Sequence, residues 1–399
     1  MNKYVSKLHA IGNKETRKVV GLMSGTSMDG LDIALCQITG SGRNTSLKIV
    51  RFVTKVYSGE FRRRIKKVFA KRNIDQQLLC GLHAWVGRVH GMLVNEALRE
   101  WEVANADIDL IASHGQTVFH APQSLTGATD YPDSTLQIGD GDHVAITTGI
   151  ITISDFRQKH VAAGGEGAPL AAYGDYLLFA DKYQTRVLLN IGGIANFTLL
   201  PATQSGGYCF ATDVGPGNTL MDQYMQAKLG EEFDQDARLA AAGSVNGPLL
   251  TALLAHPFFE KPFPKTTGPE LFNLQYITDA QKVSATERLP PGDVMATLSA
   301  FSAKAIVLAI QQVAHLYGNL KVYVSGGGLH NPLLMQGISE GLDRMTQVSS
   351  FDALGLLPDA KEAALFAVLA NETVAGDAAN AGAIQDSPAV CMGKISFPE

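Results

Sequence analysis

Cysteine is scarce: Cys36, Cys80, Cys209 and Cys391 are the only four in 399 residues, and no CxxC or other close pair occurs among them. This spacing excludes a disulfide framework and a cysteine-built zinc site, and it points to a reducing compartment. Excess positive charge is also missing. Lysine and arginine number 33 against 38 aspartates and glutamates, a net charge of −5, which leaves no electrostatic footprint for nucleic acid and no basic amphipathic helix for a membrane surface. No apolar run is read as long enough to span a bilayer, and residues 1–18 are polar and basic without the apolar core of a signal peptide. The expectation is a cytoplasmic protein with a mobile leader at residues 1–17, no nucleic-acid partner and no membrane partner. A small anionic substrate would have to be held by local donors. What is present is ordinary for a globular chain, 46% hydrophobic and 18% charged, at a length that suits two domains with substantial cores.

The stretch GLMSGTSMDGLDIALC, residues 21–36, organises the rest. The β-branched pair Val19 and Val20 leads into a turn of Gly25, Thr26, Ser27, Met28, Asp29 and Gly30, and alternation at Leu31, Ile33 and Leu35 predicts a returning strand. Two glycines can turn backbone N–H groups inward, two hydroxyls add donors, and Asp29 supplies a carboxylate. Such a tip can hold a polyphosphate with its magnesium. A plain hairpin with a small polar turn would use the same residues.

A third strand is predicted at 47–57, then helical stripes at Phe61, Ile65, Val68 and Phe69 and at Leu78, Leu82, Trp85, Val89 and Met92. His83 and His90 beside that stripe lack partners at ligand spacing and read as surface or core-edge residues. A short strand at 108–112 runs into Ser113, His114, Gly115, Gln116 and Thr117, a substrate-facing loop or a set of local backbone satisfiers. Residues 121–142 read as a loop and a lobe boundary, and DGDH at 140–143 as a solvated turn. Residues 144–154 read as a strand delivering Asp155, Arg157, Lys159 and His160 to a loop before AAGGEGAPL. At Arg186 the opening pattern recurs: a strand, then Asn190, Gly192, Gly193 and Asn196, then a return, which suggests internal duplication. DVGPGN, with Asp213, Gly215, Gly217 and Asn218, enters a helix at 219–225. A strand at 320–324 opens into Gly326, Gly327 and Gly328, suited to a nucleotide lying close to the backbone or to tight helix–sheet packing.

GLMSGTSMDG, SHGQT, SDFR with AGGEGAPL, NIGGIAN, DVGPGN, PKTTG and SGGG, in this order over essentially the whole chain, resemble the anhydro-N-acetylmuramic acid kinases. Levoglucosan kinases are relatives of that family, within the superfamily of actin, hexokinase and acetate kinase. The resemblance implies an α/β fold of two similar lobes, each on a five-stranded mixed sheet, here bounded at 18–150 and 151–399, with ATP and sugar in a cleft that closes by a hinge. It further implies a homodimer. The implied reaction adds water to the anomeric carbon of a 1,6-anhydro sugar and passes the γ-phosphoryl of Mg·ATP to the released O6. Matched by motif, residues Gly25 to Asp32 form the phosphate loop, with Asp29 aiding magnesium. Asn190, Gly192, Gly193 and Asn196 face it, Asp213 to Asn218 add a turn, and Gly326 to Gly328 lie by the nucleoside. Ser113, His114, Gln116, Thr117, Arg157 and Glu362 serve the sugar, with Glu362 also near the metal.

Three positions depart from the family pattern. The family's general-base aspartate is His160, its glutamine is Glu166, and its arginine after the PKxTG motif gives way to Pro269. Asp155, His160 and Glu166 are the candidate catalytic groups. His160 can act as the base, being a competent one when neutral, Glu166 can supply the carboxylate, or the hydrolytic half can be lost. That loss would leave a kinase for an ordinary sugar hydroxyl or a weak ATPase; separate alternatives are levoglucosan or another small anhydro sugar as substrate, and a nucleotide-binding relative without turnover.

Overall fold

The computed structural model describes residues 1–399 apart from 128, 169, 319, 344–345, 382–383 and 386. Pro169 of the AGGEGAPL stretch thus lies outside the described residues. The chain forms two units, one of residues 1–179 and 359–399 and the other of residues 180–358.

The first unit is built on a seven-stranded mixed sheet. Strands β1 (Thr16–Ser24), β2 (Gly30–Thr39) and β3 (Ser46–Val56) form an antiparallel meander. Beside β1, strand β4 (Leu110–Ala121) runs parallel, and β5 (Ser134–Ile138) pairs back onto β4. Strand β6 (Thr152–Ser154) follows parallel to β4, and β12 (Lys394–Ser396) closes the edge. Helices of this unit are α1 (Lys3–Gly12), α2 (Gly59–Ile65), α3 (Gln76–Glu100), α4 (Gln123–Thr126), α5 (Gly141–Thr148), α6 (Phe156–Ala162), α7 (Ala171–Phe179) and α14 (Lys361–Ala375). The apolar stripe of α3, Leu82, Val86 and Val94, joins Val20, Leu22, Leu31 and Ile33 in one core, as amphipathic spacing requires. Helix α14 packs against β1 so closely that a Cβ on Gly21 would stand 1.9 Å from the Ala363 carbonyl oxygen. Only glycine permits that approach.

The second unit repeats the plan with five strands in the order β11-β10-β7-β8-β9. Here β7 (Thr185–Ile191), β8 (Ile194–Leu200) and β9 (Phe210–Pro216) are the meander, and β10 (Leu320–Ser325) and β11 (Gln347–Ser350) the parallel additions. Its helices are α8 (Thr219–Leu229), α9 (Arg238–Ala241), α10 (Gly247–Leu254), α11 (Leu274–Ser284), α12 (Pro291–Tyr317) and α13 (Pro332–Gly341). Helix α12 is long and apolar enough to cross a membrane by length and composition, contrary to the sequence reading. It is a core helix: Ile306 and Ile310 face the sheet, while Leu298 and Phe301 join α8, α10 and α11.

Several expectations are corrected. Residues 1–17 are no tail: Ile11 of α1 is buried, and the buried Arg17 donates through Nε to Asn371 Oδ1 at 2.6 Å. The unit boundary falls at 179/180 rather than at 150, because β6 pairs with β4 and residues 359–399 return to the first unit. The first sheet has seven strands, not five, through β5 and β12. Residues 121–142 hold α4 and β5. Residues 140–143 cap and start α5, with Asp140 Oδ1 accepting from the N–H groups of Asp142 and His143. The β-branched run 144–154 divides into α5, a left-handed Gly149 that ends it, and the short β6. The segment from Phe156 to His160 is helical rather than a loop, with Asp155 as its left-handed N-cap.

Candidate active site

The β1–β2 turn is closed by the Met28 N–H on the Gly25 carbonyl at 3.3 Å. Positive φ occurs at Met28 (60°) and at neither glycine. Gly30 serves contact instead, since a Cβ there would lie 2.7 Å from the Lys55 carbonyl oxygen. Thr26, Ser27 and Asp29 are exposed at the tip, whereas Met28 and Leu31 point into the core, which removes their side chains from any ligand. Asp32 is half-buried, and its Oδ1 accepts from Thr54 Oγ1 at 2.6 Å. Burial raises its pKa, opposed by that hydrogen bond and reinforced by Asp359.

SHGQT is not a loop. It lies inside β4, where a bulge between Leu22 and Ser24 of β1 and the positive φ of Gly115 redirect the side chains. Ser113, His114 and Gln116 are buried, and Thr117 Oγ1 accepts from Gln137 Nε2. His114 donates from Nδ1 to the Gly115 carbonyl at 2.8 Å, so its Nε2 lone pair accepts Arg157 Nε–H at 3.0 Å. Burial and the adjacent guanidinium hold His114 neutral, its pKa lowered to about 3. Arg157 also donates to the Gly167 carbonyl at 2.7 Å. Two backbone-anchored contacts thereby fix the guanidinium, which attracts the carboxylate of Glu362.

Glu362 occupies the first turn of α14, open to solvent yet hemmed in by protein. Its pKa is raised, first by desolvation and then by Asp32, with Lys361 and Arg157 opposing. Lys361 itself pairs with buried Asp175 at 2.8 Å. Asp32, Arg157 and Glu362 thus form one electrostatic cluster, assembled from β2, α6 and α14.

His160 is buried, its ring edge on Tyr173. Its Nδ1 accepts the Gly167 N–H at 2.9 Å, so the neutral ring carries its proton on Nε2, which is buried without a hydrogen-bond partner among the described residues. Burial and Arg157 lower its pKa to about 4. No lone pair is left over for taking a proton, so the expectation that His160 acts as the base does not fit its surroundings. Glu166 is exposed, and Asp155, in a left-handed conformation, gives its carboxylate to Lys394 of β12.

In the second unit the three predicted turns do come together. The Gly192 and Gly193 carbonyls accept the N–H groups of Asn218 (2.9 Å) and Gly217 (2.8 Å). A Cβ on Gly326 would meet the Ile191 carbonyl oxygen at 2.6 Å, and one on Gly328 the Ile191 side chain at 2.3 Å. Asn190 and Asn196 pair across the β7–β8 hairpin and Gly327 is exposed beside Asn218. Asp213 accepts from the Thr267 N–H at 2.9 Å, tying DVGPGN to PKTTG. The lysine of that motif, Lys265, donates to the Phe258 and Phe259 carbonyls and is structural. Asp222, in the first turn of α8, was not singled out from sequence; burial raises it to about 6. Its offset of four residues from Asn218 was the available signal.

Among the described residues no group of three or more His, Cys, Asp or Glu side chains is poised for a metal ion. Magnesium does not require one, because it keeps waters and takes phosphate oxygens beside one or two carboxylates. Exposed Asp29 and half-buried Asp32 on the same hairpin satisfy that demand.

Comparison with known proteins adds the following. A family profile described as "Anhydro-N-acetylmuramic acid kinase" matches residues 17–396. A protein of that description from Pseudoalteromonas atlantica is 51% identical over the full length of both chains. One from Caldanaerobacter subterraneus is 37% identical over 98% of this chain and 100% of its own. Among solved structures, a hexokinase from Schistosoma mansoni complexed with glucose is 10% identical over 88% of this chain and 85% of that one, with a TM-score of 0.35.

Proposed function

The chain belongs to the anhydro-N-acetylmuramic acid kinase family, and from that membership we propose that it opens the 1,6-anhydro ring of anhydro-N-acetylmuramic acid with water and phosphorylates O6 from ATP, yielding N-acetylmuramic acid 6-phosphate in cell-wall sugar recycling. The cluster of Asp32, Arg157 and Glu362 is the observation that carries this reading to named residues.

Water attacks the anomeric carbon and loses a proton to Glu362. The bond from that carbon to O6 breaks, and its electron pair stays on O6. O6 then bonds to the γ-phosphorus, and the bond to the bridging oxygen of ADP breaks. A general base works best with a pKa near the working pH, and the raised carboxyl of Glu362 moves in that direction. Arg157, fixed by His114 and the Gly167 carbonyl, acts on that carboxylate through its charge. This gives the base role to Glu362 in place of His160, which supports the loop through Gly167. Glu362 already faces Lys361 and Arg157, so magnesium is assigned to Asp29 and Asp32. Bound there, the cation would offset phosphate charge.

Thr26, Ser27 and the turn's N–H groups receive the γ-phosphate. In the second unit the glycine turns at 192–193, 215–218 and 326–328 leave bare backbone that suits close approach of a nucleotide. The protein works as a homodimer in the cytoplasm. Incubation with ATP, magnesium and 1,6-anhydro-N-acetylmuramic acid in ¹⁸O-water tests the reaction. The expected product is the 6-phosphate with one heavy oxygen at the anomeric carbon. Absence of product, or phosphorylation of a plain sugar only, overturns the reading.

A further inference from the structure

A buried chain of hydrogen bonds runs from the middle of α3 to the phosphate turn. Tyr57 Oη donates to Ser24 Oγ at 2.8 Å, so its oxygen is left to accept the Nε2–H of His90 at 2.9 Å. Ser24 Oγ donates to Gln116 Oε1 at 2.6 Å, and Gln116 Nε2 donates to the Gly25 carbonyl at 3.2 Å. Every hydroxyl and amide proton points the same way, and such aligned chains polarise and strengthen each bond in a low dielectric.

His90, Tyr57, Ser24 and Gln116 are all buried, and among the described residues His90 has no other hydrogen bond: its Nδ1 is unpartnered. A histidine in an apolar core costs free energy that leucine would not. Burial keeps it neutral, its pKa lowered to about 3, so the ring is a fixed donor rather than a titrating one. Its ring lies against Tyr57 and Phe61, themselves stacked at 3.7 Å between centroids. Nothing in the hydrolytic or phosphoryl steps uses these groups.

We propose that His90 and Tyr57 are positioning residues for ATP, acting through Ser24 and Gln116 on the Gly25 carbonyl to set the direction of the turn's phosphate-facing N–H groups. Rotating that carbonyl rotates the peptide plane it shares with the Thr26 N–H. The proposal rests on the reading of residues 25–30 as the phosphate turn.

The test uses Tyr57→Phe and His90→Leu, with His90→Gln as the variant that keeps a donor, in the full-length protein. Initial rates are measured against ATP and against sugar, with thermal melts alongside. Loss of one net hydrogen bond, about 1 kcal/mol, converts to roughly a fivefold change. Tyr57→Phe and His90→Leu should each raise KM for ATP by about that factor, with KM for the sugar unchanged and the double variant no worse than either single one. His90→Gln should recover most of the ATP affinity. A purely structural role would lower melting temperature in all three and leave the ratio of the two KM values alone, which overturns the proposal. If His90→Leu does not fold, Tyr57→Phe with an unchanged KM for ATP overturns it by itself. A wild-type protein without any ATP-dependent turnover would instead remove the kinase reading beneath it.

Discussion

Gly21→Ala offers a decisive test of whether the first turn of α14 carries chemistry. The added Cβ would sit 1.9 Å from the Ala363 carbonyl oxygen, against 3.4 Å for the start of ordinary contact. The helix must therefore retreat from β1 by about 1.5 Å, the difference between those two distances. Glu362 precedes the displaced carbonyl by one residue and moves with it, changing its place relative to Arg157 and Asp32. A misplacement near 1 Å can cost roughly a hundredfold in rate, and overpacking a tight interface about 1–3 kcal/mol of stability. The assay is kcat for 6-phosphate formation with saturating ATP and sugar, beside denaturant unfolding. Gly81→Ala is the control, for nothing lies within 4 Å of its Cβ position on α3; it should leave kcat intact and stabilise by about 0.5–1 kcal/mol. A Gly21→Ala protein that loses stability but keeps kcat within about threefold of wild type would refute the assignment of chemistry to Glu362 and its helix turn.

Glu362→Gln should lower kcat by about 10²–10⁴-fold, the usual worth of a general base, with ATP binding retained in equilibrium titration. The wild-type rate should fall as pH drops through the raised pKa of Glu362, and the variant's residual rate should lack that limb. His160→Ala should reduce kcat by less than about tenfold while destabilising by about 1–3 kcal/mol, since it strands the buried Gly167 N–H; a loss of turnover matching Glu362→Gln would restore His160 as base. Stability should also respond to acid. His90 and His114 have folded pKa values lowered to about 3, so below the unfolded value near 6.5 the unfolded chain binds more protons. Each then takes away about 1.4 kcal/mol per pH unit as pH falls, and urea unfolding should show flat stability above that value.

Much of the scaffold was legible because hydrophobic period and turn chemistry agree in it. The β1–β2 and β7–β8 hairpins, the stripe of α3 and the strand into Gly326 all obey local rules. SHGQT misled because polar residues at a strand end usually signal a loop, whereas here a bulge keeps them in the sheet and buries them. The run 144–154 misled because β-branched residues fit a short buried helix as readily as a strand, and only Gly149 marks the break. Glu362 was reached through family resemblance alone, for no local pattern announces a carboxylate that acquires its neighbours from β2 and α6. The same applies to the Tyr57 and His90 pair, 33 residues apart, whose meeting depends on α3 lying across the meander. Met28 and Leu31 show the converse: a motif marks a loop, not which of its side chains reach the ligand.

The first unit is written in two instalments, with residues 180–358 falling between them. A ribosome therefore delivers the second unit whole before the first can be finished, and compact units fold as they emerge. Until residues 359–399 arrive, β6 lacks β12, Arg17 lacks Asn371, and Arg157 lacks the charge of Glu362. A chain made only as far as residue 358 should thus show no 6-phosphate formation, because Glu362 arrives with the segment that finishes the first unit.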